Sequence, residues 1–129
     1  MRYLIEEDIL VLHDRVIEET GGAHGLRDLK LLSAAVGRPR MHFGGKELYP
    51  GVFLKTAALF ESIVRNHAFV DGNKRTAILA SARFLHLNGY SLTATNRELE
   101  TFVLSAVVKK FALKKISSWM KRHSRKLPH

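Results

Sequence analysis

Apolar residues recur at helical spacing along most of the chain. Four of them, in steps of four, three and four positions, mark a first helix: Ile5, Ile9, Leu12 and Val16. The same steps recur in a later segment: Phe53, Ala57, Phe60 and Val64. Such steps place side chains on one face of an α-helix. The pattern therefore predicts one helix that ends at Gly21-Gly22 and another that runs to about Asn66.

Capping signals predict two further helices. Asp28 is a candidate N-cap for a short helix over 29–36. Another helix begins near Asn73 and ends at Asn88-Gly89, a composition typical of helix C-termini. Small and apolar residues lie on several sides of this helix: Ala77, Ile78, Ala80, Ala82, Phe84 and Leu85. A helix that is apolar on most faces is expected to be central and buried.

The remaining pattern completes an all-α fold. Thr95 and Glu98 have the spacing of a capping box, which predicts the start of a fifth helix. A sixth helix carries three apolar residues on one face: Leu113, Ile116 and Met120. Residues 40–51 contain two glycines and a proline, and they predict a long loop with short extended arms. We therefore expect a single domain over 1–129, a bundle of about six helices.

The positive charge is concentrated toward the C-terminal end. The formal net charge is +9, and residues 101–129 contain no acidic residue and eight basic ones: Lys109, Lys110, Lys114, Lys115, Lys121, Arg122, Arg125 and Lys126. One interpretation is a surface for an acidic partner or nucleic acid. The other, which we favour, is a solvated helix face followed by a frayed basic tail.

Composition excludes several kinds of site. The chain has no cysteine, so disulfides and thiolate metal sites are excluded. No stretch approaches the roughly 18 apolar residues of a membrane-spanning helix. Acidic residues interrupt the first apolar run, whereas the apolar region of a signal peptide is continuous. We therefore expect a cytoplasmic protein with no membrane partner.

His13 lies beside the apolar stripe of the first helix and is expected to be a core or boundary residue.

The densest group of chemically useful residues is HAFVDGNKR, at 67–75. It precedes and opens the fourth helix, where the first amides have no intrahelical partner and carry partial positive charge. Asp71, Gly72 and Asn73 have the composition of a tight turn that aims further amides at one point. Lys74 and Arg75 add two positive charges. The combination predicts an anion site suited to phosphate.

Two side chains extend this anion site toward catalysis. His67 supplies a group that accepts a proton near neutral pH. Asp71 supplies a hard oxygen ligand of the kind that Mg²⁺ combines with phosphate oxygens. Together with the phosphate cradle, these groups suit the transfer of a phosphoryl or nucleotidyl group to a hydroxyl. Phe69 alternates with the polar positions and is expected to anchor the loop in the core.

The same nine residues carry a family resemblance. HAFVDGNKR resembles the motif of the Fic/Doc family, and above all that of its death-on-curing (Doc) branch, His-x-Phe-x-Asp/Asn-Ala/Gly-Asn-Lys-Arg. Four further stretches are similar to segments of Doc-like proteins: GGAHGLRD, LLSAAVGRP, FGGKELYP and FLHLNGY. The resemblance implies a Fic-type bundle that uses ATP and Mg²⁺. The loop at 40–51 would then be a flap that holds the target by strand pairing.

The resemblance also implies roles for individual residues. His67 would deprotonate a target hydroxyl, Asp71 would hold Mg²⁺, and Phe69 would be structural. The phosphates would be bound by the turn and the cations that follow it: Gly72, Asn73, Lys74 and Arg75. Four residues would form the target-binding part of the flap: Phe43, Gly44, Gly45 and Tyr49. The alternative for the two aromatic residues is that they pack the loop down.

Two positions distinguish the Doc branch from family members that transfer AMP. Those proteins usually have glycine where this chain has Lys74, and a second arginine where it has Ile78. The Doc branch shares both departures, and the resemblance therefore implies that ATP presents its γ-phosphate to the target. The implied activity is phosphorylation of a threonine of elongation factor Tu, which halts translation. Adenylyl transfer is the nearest alternative.

The sequence also bears on regulation. It contains no Ser/Thr-x-x-x-Glu-Gly/Asn motif, the inhibitory segment that some Fic proteins carry. We therefore expect a toxin controlled by a separate antitoxin. In the Doc branch the antitoxin implied resembles Phd, whose C-terminal segment folds as it docks in a groove. A hypothesis of another class is a non-catalytic nucleic-acid- or ribosome-binding module that uses the basic C-terminus.

Overall fold

The computed structural model describes residues 1–128 and contains six α-helices there. Their bounds are Glu6–Thr20 (α1), Leu29–Gly37 (α2), Val52–Asn66 (α3), Asn73–Leu87 (α4), Asn96–Val108 (α5) and Leu113–Arg122 (α6). The strands in these residues are short and form two antiparallel pairs. The predicted all-α fold with about six helices is confirmed. None of these helices is long and apolar enough to cross a membrane.

The helix starts follow from local hydrogen bonds that the sequence predicted. The Asp28 carboxylate accepts hydrogen bonds from the main-chain N–H groups of Lys30 and Leu31, at 2.9 and 3.3 Å. The Thr95 hydroxyl accepts from Glu98 N at 3.1 Å, while the Glu98 carboxylate accepts from Thr95 N at 2.9 Å. These contacts satisfy amides that have no intrahelical partner, and so they fix where α2 and α5 begin.

The centre of the bundle is shared by α3 and α4. We predicted α4 as the central helix, and it packs against α1, α3 and α5. However, α3 packs against α2, α4 and α6 and buries more of its residues. Alanines that are fully buried lie on both helices: Ala57, Ala58, Ala77 and Ala80. Such small side chains allow two helices to approach closely, and Ala77 and Ala80 place this close contact in the first half of α4.

The loop before α3 has the short extended arms that the sequence predicted, and the structure shows them paired as a small hairpin. A 3₁₀ turn at Arg38–Arg40 leads into β1 (His42–Phe43), which pairs with β2 (Lys46–Glu47). Gly44 and Gly45 connect the strands with φ values of 59° and 80°. Positive φ at both positions is what a two-residue type I′ turn requires. We call residues 40–51 the flap and residues 42–47 the flap ribbon.

The C-terminal segment is ordered by strand pairing. We expected a frayed tail after α6, and this prediction was wrong for residues 124–127. Ser124–Lys126 (β4) pairs antiparallel with Tyr90–Leu92 (β3), and Leu127 N donates to Gly89 O at 2.8 Å. The pairing depends on where α6 ends relative to α4, which helical periodicity does not report.

The capping box of α5 provides a test of how this helix is fixed. Replacing Thr95 with alanine removes the acceptor for Glu98 N, and we expect a loss of about 1 kcal/mol in the free energy of unfolding. Chemical denaturation measures it, with Thr101→Ala on an exposed position of the same helix as control. Hydrogen bonds with Thr95 lower the pKa of Glu98. The contribution of the Glu98 carboxylate to the stability of the fold is therefore present above its ordinary pKa, and it is lost as the pH falls through the lowered value. An equal loss for both variants would contradict this account.

Candidate active site

The motif loop joins α3 to α4 and turns sharply at both ends. His67 is the C-cap of α3 and has left-handed backbone angles, φ 52° and ψ 51°. Gly72 is the N-cap of α4 and is also left-handed, with φ 78°. A residue other than glycine persists in this conformation only where its surroundings hold it. The conformation of His67 therefore points to contacts that fix the loop.

Gly72 is favoured by the available space as well as by conformation. A Cβ at this position would lie 3.2 Å from both Ile17 Cδ1 and Val16 Cγ1, on the inner side of α1. That distance is tighter than ordinary van der Waals contact. The glycine therefore allows the motif loop to lie directly against α1.

Asn73 closes the loop from the inside. Its Oδ1 accepts a hydrogen bond from Phe69 N at 3.1 Å, and its Nδ2 donates to Phe69 O at 2.9 Å. Asn73 and Phe69 are both buried. Both ends of the side-chain amide are used within the loop. The group that Asn73 can offer to an anion is therefore its main-chain N–H. The buried ring of Phe69 has the anchoring position that the alternation predicted.

The motif residues surround one cleft of about 270 Å³, whose lining is His67, Val70, Asp71, Gly72, Asn73, Lys74 and Arg75. The charged and titratable side chains of the cleft are exposed: His67, Asp71, Lys74 and Arg75. The hydrogen-bond ladder of α4 begins with Thr76 N to Gly72 O at 3.0 Å. The amides of residues 73–75 precede that ladder, so the cleft combines free N–H groups, the positive end of a helix and two cations.

A larger cavity of about 490 Å³ lies between α5 and α6 but has different chemistry. Its walls are mainly apolar and include Phe102, Phe111 and Trp119. His123 at its edge has Nδ1 2.9 Å from Trp119 O and Nε2 3.5 Å from Glu98 Oε2. The ring also stacks on Trp119, with centroids 4.0 Å apart, so His123 packs as part of the cavity wall. The chemistry of its lining makes the motif cleft the candidate active site.

Asp71 is positioned with one oxygen free for a cation. Its Oδ2 accepts a hydrogen bond from Ala23 N at 2.8 Å. Residues 1–128 contain no cluster of three or more histidine or carboxylate groups that could hold a metal on their own. A single carboxylate beside a phosphate-binding cleft fits Mg²⁺, which keeps several waters and shares its ligands with substrate phosphates. The residues present therefore fit the ion, and Asp71 is the residue that would hold it.

His13 holds Asp71 through its main-chain carbonyl group. The ring is 2% exposed, and its Nε2 lies 2.7 Å from Asp71 O. Because a carbonyl oxygen can only accept, Nε2 carries the proton. The ring also stacks on Phe69, with centroids 3.8 Å apart and planes 7° from parallel. His13 is thus a hydrogen-bonded core histidine, as predicted, and its contacts fix the main chain of the motif.

The segment before α2 supports the loop along its length, and sequence reasoning missed this. Leu26 bridges Phe69 in antiparallel fashion, and Arg27 N donates to Ala68 O at 2.7 Å. The Arg27 side chain donates from Nε to His67 O at 2.7 Å and from Nη2 to Asn66 O at 3.1 Å. Arg27 thereby satisfies carbonyls at the end of α3 and holds His67 in its left-handed conformation. The GGAHGLRD stretch was noted, but the pairing spans forty residues and leaves no local pattern.

The flap residues separate into a tip and an anchor. Phe43 is 82% exposed on the flap ribbon, beside Gly44 and Gly45 at its turn. Tyr49 lies at the base, where its hydroxyl accepts a hydrogen bond from Arg38 Nε at 2.9 Å. Burial lowers the pKa of Arg38, but hydrogen bonds with Tyr49 and Glu61 outweigh it and raise that pKa overall. The charged Arg38 thus fixes Tyr49, while Phe43 projects into solvent.

Comparison with known proteins identifies the family. The model of the Fic/DOC family matches residues 3–85, which include the whole motif loop. The chain belongs to the Fic/DOC family. It is 48% identical over 92 residues to the Toxin Doc of Mycolicibacterium smegmatis, covering 71% of this chain and 68% of that protein. It is 28% identical over 122 residues to the Protein kinase doc of Escherichia phage P1, covering 95% of each.

The contact between His13 and Asp71 O provides a test of how the family motif is supported here. Leucine at position 13 leaves Asp71 O without its donor in a partly buried contact, and we expect the free energy of unfolding to fall by about 1–3 kcal/mol. Glutamine places an N–H group near the position of Nε2 and should restore part of that loss. Thermal and denaturant unfolding of both variants measure the difference. Equal stability of His13→Leu and His13→Gln would show that the hydrogen bond contributes nothing.

Proposed function

We propose that the chain is the toxin of a toxin–antitoxin pair and an ATP-dependent protein phosphotransferase. It would transfer the γ-phosphoryl group of ATP to a hydroxyl of a translation factor similar to elongation factor Tu, and so halt translation in the cytoplasm. The observation that carries the proposal is the motif cleft, which combines an exposed histidine, a carboxylate and a phosphate cradle. The names of the two relatives, a toxin and a protein kinase, support the same assignment.

The residues of the cleft divide the reaction between them. His67 accepts the proton of the target hydroxyl, and the oxygen then attacks the γ-phosphorus. A new P–O bond to the target forms as the bond between the γ-phosphorus and the leaving ADP oxygen breaks. The amides of residues 73–75, with Lys74 and Arg75, bind the phosphates and stabilise their charge. Mg²⁺, held by Asp71, would neutralise charge on the transferring group.

The proposed orientation of ATP in the cleft depends on Lys74 and Ile78. Lys74 is exposed and lines the cleft, where it occupies space that a glycine would leave open. Ile78 lies one helical turn further along α4, in a groove with Arg75, Leu79 and Leu99. An isoleucine there supplies no second guanidinium for a phosphate. Both features favour presentation of the γ-phosphate over adenylyl transfer, which remains the alternative within the same enzyme class.

Regulation would come from an antitoxin similar to Phd, whose C-terminal segment folds on docking in a groove of the toxin.

A second candidate function uses the basic C-terminus as a nucleic-acid- or ribosome-binding surface. The observation that favours it is that β4 carries Arg125 and Lys126 on an ordered strand. Binding of this kind would be strongly dependent on salt and would survive the loss of His67.

Label transfer from ATP decides between these functions. We expect γ-labelled ATP, but not α-labelled ATP, to label purified elongation factor Tu, and His67→Ala to reduce the rate by at least about 100-fold because the general base is lost. His86→Ala, at an exposed position near the other end of α4, is the matched control and should retain full activity. Label from α-labelled ATP would establish adenylyl transfer instead. Absence of both labels with folded protein would favour the binding module.

A further inference from the structure

Lys55 is a buried charge at the base of the flap that the catalytic cleft does not use. Its side chain is 1% exposed, and its Nζ donates to Pro39 O at 3.0 Å. Nζ also pairs with Glu47 Oε1 at 3.1 Å. Lys55 lies in the first turn of α3, where a positive charge is opposed by the helix dipole. Neither burial nor helix stability explains a lysine here, so its partners do.

One of the two partners precedes the flap and the other lies within it. Pro39 is in the 3₁₀ turn that enters the flap, and Glu47 is in β2, on the return strand. A buried ammonium is costly unless it is paired and hydrogen-bonded. Movement of β2 away from α3 would leave the Lys55 ammonium without its carboxylate. Lys55 therefore penalises displacement of β2, and with it of the flap ribbon.

The ion pair also ties one face of the flap ribbon to the start of α3. Glu47 lies opposite His42, and Lys46 lies opposite Phe43. Side chains alternate between the faces of a strand, so the pair that contains Phe43 faces away from the pair that contains Glu47. With Glu47 drawn inward to Lys55, Phe43 is 82% exposed. A ribbon of two residues in each strand has little stability of its own, so its orientation must come from such anchors.

We propose that Lys55, acting through Glu47, is a positioning residue that presents the Phe43 face of the flap ribbon to the target protein. This inference rests on the proposed function, in which the flap docks the target. Lys55 itself touches neither target nor nucleotide. Its effect is to keep the flap in the orientation that the target meets, so that docking does not have to order the flap first.

Steady-state label transfer to elongation factor Tu tests the positioning role through Glu47→Gln. Glu47 is 44% exposed, so its replacement removes the charge without opening a cavity. We expect KM for the target to rise about tenfold with kcat unchanged, as when binding is lost equally from the ground and transition states. Glu19→Gln, on an exposed part of α1, should match the wild type. An unchanged KM, or a fall in kcat alone, would overturn the proposal.

Amide hydrogen exchange tests the anchor independently of catalysis. In Glu47→Gln and in Lys55→Met we expect faster exchange at residues 42–48, with unchanged exchange at 67–76. Equal exchange in the variants and the wild type would show that the ion pair does not hold the flap. If the wild type transfers no label at all, the proposed function fails, while the exchange result still decides whether Lys55 orders the flap.

Discussion

The paired hydrogen bonds between the Asn73 side chain and the main chain of Phe69 are the contact on which the candidate site depends. At 3.1 and 2.9 Å, they tie the first residue of α4 to the middle of the motif loop and place Phe69 in the core. Once this loop is closed, the amides at the start of α4 and the side chains of His67, Asp71 and Lys74 face one cleft. An anion site of this kind works because its donors are fixed before the ligand arrives, and no reorganisation is needed on binding.

Around this contact the chain divides its polar groups into supporting and outward-facing ones. His13 bonds to Asp71 O, Arg27 to His67 O, and Ala23 N to the Asp71 carboxylate. All three come from the N-terminal quarter of the chain, which wraps across the motif loop. The flap repeats the same principle, since Lys55 and Arg38 hold its base while Phe43 projects into solvent. In both places hydrogen bonds from neighbouring segments fix a short irregular segment that carries exposed functional side chains.

The parts of this structure that could be predicted from the sequence are those set by neighbours along the chain. The caps at Asp28 and Thr95, and the contiguous motif that lines the cleft, all depend on residues within a few positions of one another. The contacts between His13 and Asp71 and between Arg27 and His67 span 58 and 40 residues. The pairing of β3 with β4 joins segments at the ends of α4 and α6. These contacts follow from how the helices pack, and neither periodicity nor local composition reports them.

The central claim is that the motif cleft is a preorganised site for magnesium and nucleotide phosphates. The most direct measurement is a nuclear magnetic resonance titration of isotope-labelled protein with Mg²⁺ and a non-hydrolysable ATP analogue. The account predicts that the largest amide shifts occur at residues 67–76, and that Asp71→Asn removes the part of the binding that depends on Mg²⁺ while the fold is retained. Shifts confined to the α5–α6 cavity or to the basic C-terminal segment, with none in the motif loop, would contradict it.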